Sequence, residues 1–232
     1  MRVVLSIFLV GGLVITAAWF LGAQPPPPVT APAPVITPAP GCRLGGGSTT
    51  VPEPTKILTR RVDAAWTRIE TWLAVHAPRT AARWNAPAPA AALSALQREV
   101  GVELPGDLVA TLRRHDGSSA GGFVLPLAYR PMSVGEIAGH TRRMCSGPGQ
   151  PGWDGRFVPF AVDGGGGLLY LDQRGAGSLG EQFDEGPGPG RWPTGLSELL
   201  EQTADLLEEG TGPLADRYRP EVDAGWLRWR IR

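Results

Sequence analysis

Three histidines and two cysteines are scarce enough in this chain of 232 residues to be examined one by one. His115-Asp116 is the nearest thing to a catalytic pair, since an enzyme needs a nucleophile or base with a partner in reach. Neighbours at a helix end seldom share one pocket, however, and a histidine favoured by the helix dipole is the plainer account. His76 and His140 have no partner visible in the sequence. Asp163 and Asp172 could meet across a hairpin base as paired carboxylates or a cation site, although turn-forming aspartates explain them equally well. Gly164–Gly167 lacks the lysine and hydroxyl of a phosphate loop and joins strand to strand, which argues against nucleotide binding. Acyl-transfer signatures are absent too. The expectation is a chain with no catalytic residue, no metal ligand set and no cofactor.

The elements that must position these residues centre on RFVPFAVDGGGGLLYLD, from Arg156 to Asp172. Two short apolar runs, Phe157–Val162 and Leu168–Leu171, flank Asp163 and four glycines and predict a hairpin. Pro159 supplies no N–H, so it belongs at a sheet edge or a bulge. Upstream, Ile57, Leu58, Val62, Ala65, Trp66, Ile69, Trp72 and Leu73 recur at helical intervals and predict a helix ending before Pro78. Asn85-Ala86-Pro87 makes a turn, and Ala90–Val100 a helix that buries Leu93 and Leu96. Pro105 and Asp107 suit the start of a third helix, with Leu108 and Leu112 buried and Gly117 closing it. Phe123–Tyr129 reads as a strand, Ser133-x-x-Glu136 as a capping box that starts another helix, and Gln182-Phe183 as one more short strand. Leu196, Leu199, Leu200, Thr203, Leu206 and Leu207 form a last apolar stripe stopped by Gly210. Helices first, strands in the middle and one helix last is an α+β arrangement.

Charge and composition bound the rest. Lys plus Arg equal Asp plus Glu at 22 each, so nothing steers the chain toward nucleic acid. Residues 1–24 are uncharged beyond Arg2 and long enough to span a bilayer as one helix. An uncleaved anchor is the preferred reading over a removed signal peptide. The positive-inside rule puts the N-terminus in the cytoplasm and the domain outside. Residues 25–54 are a linker: eight prolines between Pro25 and Pro40 form a spacer of roughly 50 Å, and Gly41–Thr50 a flexible joint. Cys42 and Cys145 show no metal-ligand spacing. Two unrelated free thiols are the plainer reading, with pairing across a long loop open to an exported domain.

Several of these residues carry a resemblance. Trp66-x-x-Ile69-Glu70-x-Trp72-Leu73, Leu96, Gly101-x-x-Leu104-Pro105-x-Asp107-Leu108, His115-Asp116-Gly117 and Ser133-x-x-Glu136-Ile137 follow one another in the order of the Smi/Knr family, in the SUKH superfamily. Trp153-Asp154 and Val158-Pro159-Phe160-Ala161-x-Asp163-Gly164-Gly165-Gly166 continue the match, which runs over residues 55–210. The resemblance implies a compact α+β domain that binds other proteins, with many bacterial members acting as toxin-immunity proteins and none of the chemistry of an enzyme. The membrane segment departs from a family that is mostly cytoplasmic. So does the tail, residues 211–232, whose alternating Trp226–Arg232 suits an edge strand or a contact with anionic lipid or a partner.

Recognition residues often lie on loops of a rigid scaffold. His115, Asp116, Trp153, Asp154 and Arg156 sit on predicted loops, Asp163 sits at the hairpin turn, and Trp and Arg are common interface anchors. Trp153 packing under its own loop is an equal alternative. The functional expectation is a membrane-tethered, non-catalytic domain that masks a protein partner, a toxin being one candidate. The competing readings are an envelope hydrolase using Asp163 or Asp172 and a structural cell-wall organiser.

Overall fold

The hairpin takes the course its residues dictate. A computed structural model describes residues 39–146, 150–175, 177–188 and 192–232. In it β2 (Phe157–Val162) pairs antiparallel with β3 (Leu168–Asp172), and the register slips between Pro159 and Ala161. That bulge is where a residue without an N–H costs the ladder least. β3 continues antiparallel to β4 (Ser178–Phe183), which is flanked by the two-residue β5 (Gly186–Pro187), while the two-residue β1 (Arg130–Pro131) lies beyond β2. Every residue of β2 and β3 except Val162 and Asp172 is buried, so these strands form the middle of the domain.

Helices enclose this sheet. α1 (Lys56–His76), capped by the Thr55 hydroxyl on Leu58 N–H at 3.2 Å, buries Val62, Ala65, Trp66, Ile69 and Leu73. Ile57 stays 66% exposed because the first turn of α1 overhangs the core. A one-turn α2 (Pro78–Ala81) follows, then α3 (Ala90–Val100), which buries Leu93 and Leu96 and ends on Gly101 in the left-handed region. α4 (Gly106–Arg114) packs on α1, and α6 (Leu196–Glu208) lies along both. α5 (Val134–Ser146) packs on α3 and β2. Its capping box is formed in both directions: Ser133 N–H donates to Glu136 Oε2 at 2.9 Å, and Glu136 N–H to Ser133 Oγ at 3.3 Å. The molecule is α+β with a mainly antiparallel sheet.

Four expectations change. Phe123–Tyr129 is not a strand: Pro126–Ala128 is a 3-10 turn closed by Leu125 N–H on Tyr129 O at 2.7 Å. Phe123, Leu125 and Tyr129 are all buried, and that alternation imitates a strand. Gly117 does not close α4, which ends at Arg114. Its φ of +70° and the nearness of strand β1 explain it better, since a Cβ there would lie 2.5 Å from the Met132 carbonyl carbon.

The tail forms the strand its alternation predicts, but that strand does not extend the main sheet. β6 (Tyr218–Asp223) and β7 (Trp226–Ile231) form a separate two-stranded sheet. Leu227 N–H donates to Thr80 Oγ1 at 2.9 Å, and Trp229 Nε1 to Val124 O at 2.8 Å, which ties the hairpin to α2 and the 3-10 turn. Pro220 hid β6 from a pattern reading.

The fourth change concerns residues 39–54, read from composition as part of the linker. They run over the domain as a strap and fall in the same compact unit as α1–α6 and the hairpin. Cys42 and Cys145 are joined in a disulfide with Cα atoms 5.7 Å apart, so neither is a free thiol. Gly45 and Gly47 N–H donate to Glu99 O and Arg98 O, both at 3.0 Å. The buried Gln97 side chain donates to Ser48 O and Thr50 O. The run expected to be a membrane helix, residues 1–24, and the proline block up to residue 38 lie outside the described residues. Among the described residues no helix is long and apolar enough to cross a membrane.

Candidate functional site

His115 and Asp116 turn away from one another. As α4 ends, His115 takes an extended conformation. Its ring stacks on Trp84 at 4.5 Å and meets Trp66 edge-on, and its Nε2 lies 2.6 Å from Glu70 Oε1. Asp116 accepts Val134 N–H at 2.6 Å and so helps cap α5. Burial pushes the Asp116 carboxyl up, against that bond. Both residues are half-buried, His115 committed to packing and Asp116 to the start of α5.

Glu70 is the residue that sequence reasoning passed over here. It takes Arg114 Nε and Nη2, both at 2.7 Å, as well as His115. Burial opposes its ionisation, but the hydrogen bonds from Arg114 and His115 outweigh burial and hold its carboxyl below the ordinary glutamate range. A carboxyl depressed in the folded state stabilises fully above its unfolded pKa, and that stability drains away as pH falls through the folded value. Glu70→Gln is therefore expected to flatten the fall in unfolding midpoint between about pH 5 and pH 3. Melting curves across that range, with a profile parallel to wild type, would remove Glu70 from the acid response.

Asp163 and Asp172 do not meet. Asp163 sits in the turn, where its Oδ1 accepts Gly165 and Gly167 N–H at 2.8 and 2.7 Å. Asp172 ends β3 at the other extreme, paired in register with Phe157. At about 3.4 Å per residue the strand separates them by roughly 15 Å. The paired-carboxylate arrangement is thereby ruled out on geometry.

What the fold does bring together is the end of the hairpin away from the glycines. The tripeptide Asp-x-Arg stands at two places in the chain, Asp154-Gly155-Arg156 and Asp172-Gln173-Arg174. Each folds the same way. Asp154 Oδ1 accepts Arg156 N–H at 2.9 Å, and the Arg156 guanidinium returns to the same carboxylate through Nε at 2.9 Å and Nη2 at 2.7 Å. Asp172 accepts Arg174 N–H at 2.8 Å and the Arg174 guanidinium through Nε at 3.0 Å and Nη2 at 2.7 Å. Gln173 N–H donates to Arg156 O at 3.0 Å and binds one turn to the other.

The carboxylates lie deep and the guanidiniums shallow. Side-chain exposure is 9% for Asp154 and 17% for Asp172, against 48% and 45% for Arg156 and Arg174. The Arg156 guanidinium holds Asp154 below the usual carboxylate range. Burial opposes ionisation of Asp172, and the bonds from Arg174 outweigh it. Each arginine also feels the carboxylate of the other turn. Beneath them Arg174 lies over the Phe157 ring at 4.5 Å, Phe157 stacks on Tyr170, and Trp153 meets both edge-on. Trp153 is only 2% exposed, so it supports this surface and offers no contact of its own. The strap closes the side: Gly155 N–H donates to Pro40 O at 2.7 Å, and a Cβ on Gly41 would sit 2.5 Å from Asp154 Oδ1.

Of the six residues singled out from the sequence, Asp154 and Arg156 thus share a surface with Trp153 under it, and His115, Asp116 and Asp163 lie elsewhere. Arg174 was missed, although the repeated tripeptide was there to be found. A polar groove of about 420 Å³ between the starts of α4 and α6 is a weaker candidate. Its buried acid, Asp107, already accepts Leu108 and Ser197 N–H at 2.9 and 3.2 Å and so caps both helices.

Comparison with known families decides the kind of domain. Residues 87–188 match the SMI1 / KNR4 family (SUKH-1). Over those residues the chain is similar to that family. The match runs from the turn before α3 to the residue after β5, so it includes the sheet and both Asp-x-Arg turns. α1, α6 and the C-terminal hairpin pack around this matched segment from outside it, as does the strap, whose Cys42 reaches in to Cys145. A comparison with curated proteins gave no match.

Proposed function

We propose that this SUKH-1-like domain is a non-catalytic, membrane-tethered module that binds a protein partner and masks it, with a toxin at the envelope as the leading partner class. The observation that carries this reading is the pair of half-exposed arginines set on rigid turns. Preformed, ordered side chains on a stiff scaffold lower the entropy lost on docking, and arginine is a frequent interface anchor. The disulfide supports a location outside the cytoplasm, because such bonds persist where the compartment is oxidising. It fits the orientation expected from residues 1–24. Against the hydrolase alternative stand the separation of Asp163 from Asp172 and the structural bonds that occupy each.

The test places a photo-reactive side chain at Gly175, where a Cβ meets nothing within 4 Å. In native host membranes the full-length chain is expected to form a protein adduct on illumination, and the same probe with Arg156→Glu and Arg174→Glu is expected to lose it. Adduct yield unchanged by the double reversal, or no protein adduct at all, would count against the reading.

A further inference from the structure

We propose that the paired Asp-x-Arg turns are a docking site for an acidic, carboxylate-bearing segment of a partner protein, an inference that rests on the protein-binding reading above. A guanidinium carries five N–H donors in a planar fork. Each arginine spends Nε and one bond of Nη2 on its own aspartate. The remaining donors, on Nη1 and the outer side of Nη2, belong to side chains nearly half exposed. The solvent-facing atoms of this surface are therefore cationic donors, although the two aspartates beneath bring its formal charge to zero. A carboxylate fits the outer edge of such a fork with two parallel bonds.

Formal neutrality also chooses between partners. Anionic lipid surfaces and nucleic acids bind through accumulated positive charge, each basic residue adding a small share. This surface has no surplus to offer them, and the whole chain is balanced at 22 basic and 22 acidic residues. Local bidentate recognition needs geometry more than net charge, and the geometry is held from three sides. The Asp-x-Arg turns fix each backbone, the Phe157–Tyr170–Trp153 stack supports Arg174, and the strap pinned by Cys42–Cys145 presses on the Asp154 turn.

The probe is an N-acetylated hexaglutamate peptide, titrated into the full-length chain in non-ionic detergent, with hexalysine and phosphatidylglycerol vesicles as comparisons. Hexaglutamate is expected to bind and to shift the amide NMR signals of Gly155 and Gln173. Arg156→Gln with Arg174→Gln is expected to weaken it on the order of tenfold. Arg156→Lys with Arg174→Lys is expected to weaken it as well, because lysine keeps the charge and loses the fork. Unchanged near-ultraviolet dichroism confirms that the variants are folded, and the shifts in the wild-type chain need no variant. Absence of hexaglutamate binding, equal affinity of the glutamine variant, or binding to vesicles in its place would overturn the proposal. If the Gly175 photo-adduct persists while hexaglutamate fails, the acidic class falls and protein binding stands. If both fail, the protein-binding reading falls with it.

Discussion

Replacing Cys42 and Cys145 together with serine is expected to lower stability by about 2–4 kcal/mol. The bond joins residues 103 apart, so its loss frees a long loop in the unfolded chain. A loop of that length sets a chain-entropy ceiling near 4.7 kcal/mol. The loss falls short of that ceiling for a structural reason. Without the bond the strap still has Gly45 on Glu99, Gly47 on Arg98 and the Gln97 side chain to hold it. For a domain of this size the change corresponds to a fall in Tm of roughly 5–15 °C. Melting with and without a phosphine reductant is the direct measurement, with wild type expected to drop to the level of the double variant under reduction. Identical midpoints would show that the bond contributes nothing to stability, and would return the two cysteines to the free-thiol reading.

Trp66→Ala is expected to cost about 3–5 kcal/mol, the usual range for removing a large aromatic from a packed interior. Trp66 is fully buried on α1 and meets Trp84, His115 and Phe123 edge-on, with ring centroids between 5.2 and 5.7 Å. Its removal leaves a cavity where α1, α4 and the segment before β1 converge, and neighbours this tightly held collapse into it only in part. Trp72→Ala, one and a half turns further along, is the control. That ring is half-buried at the margin of the core and lies tilted against His76, so its loss costs less. Denaturant titration should show a large shift in midpoint for the first variant, a small one for the second, and the same slope for both. Equal shifts would mean that Trp66 is not the centre of the helical layer.

Much of the fold was legible because the forces that shape it act over short stretches of chain. A glycine run between two short apolar runs lets the chain reverse locally, and Ser133 and Glu136 cap α5 from three residues apart. The apolar stripes of α1, α3, α4 and α6 report a buried face without saying what covers it. The strand expected at Phe123–Tyr129 failed for the complementary reason. An irregular segment can bury every other side chain while its backbone bonds go to a 3-10 turn.

The candidate site was less legible. Asp154 and Arg156 were chosen as loop residues with interface chemistry, and Trp153 beside them had the same credentials, yet one aromatic cluster buries it completely. Nothing within a few residues of Trp153 distinguishes a ring that is covered from one that is offered. What the amino-acid order by itself determined was α1, α3, α4, α5 and α6, the central hairpin, the family resemblance and the absence of net charge, all of which depend on neighbours in sequence. What tertiary structure alone decided was the Cys42–Cys145 pairing, the strap over the domain and the meeting of two distant Asp-x-Arg turns. Those depend on where the chain returns in space, and a separation of 103 residues leaves no local trace of that.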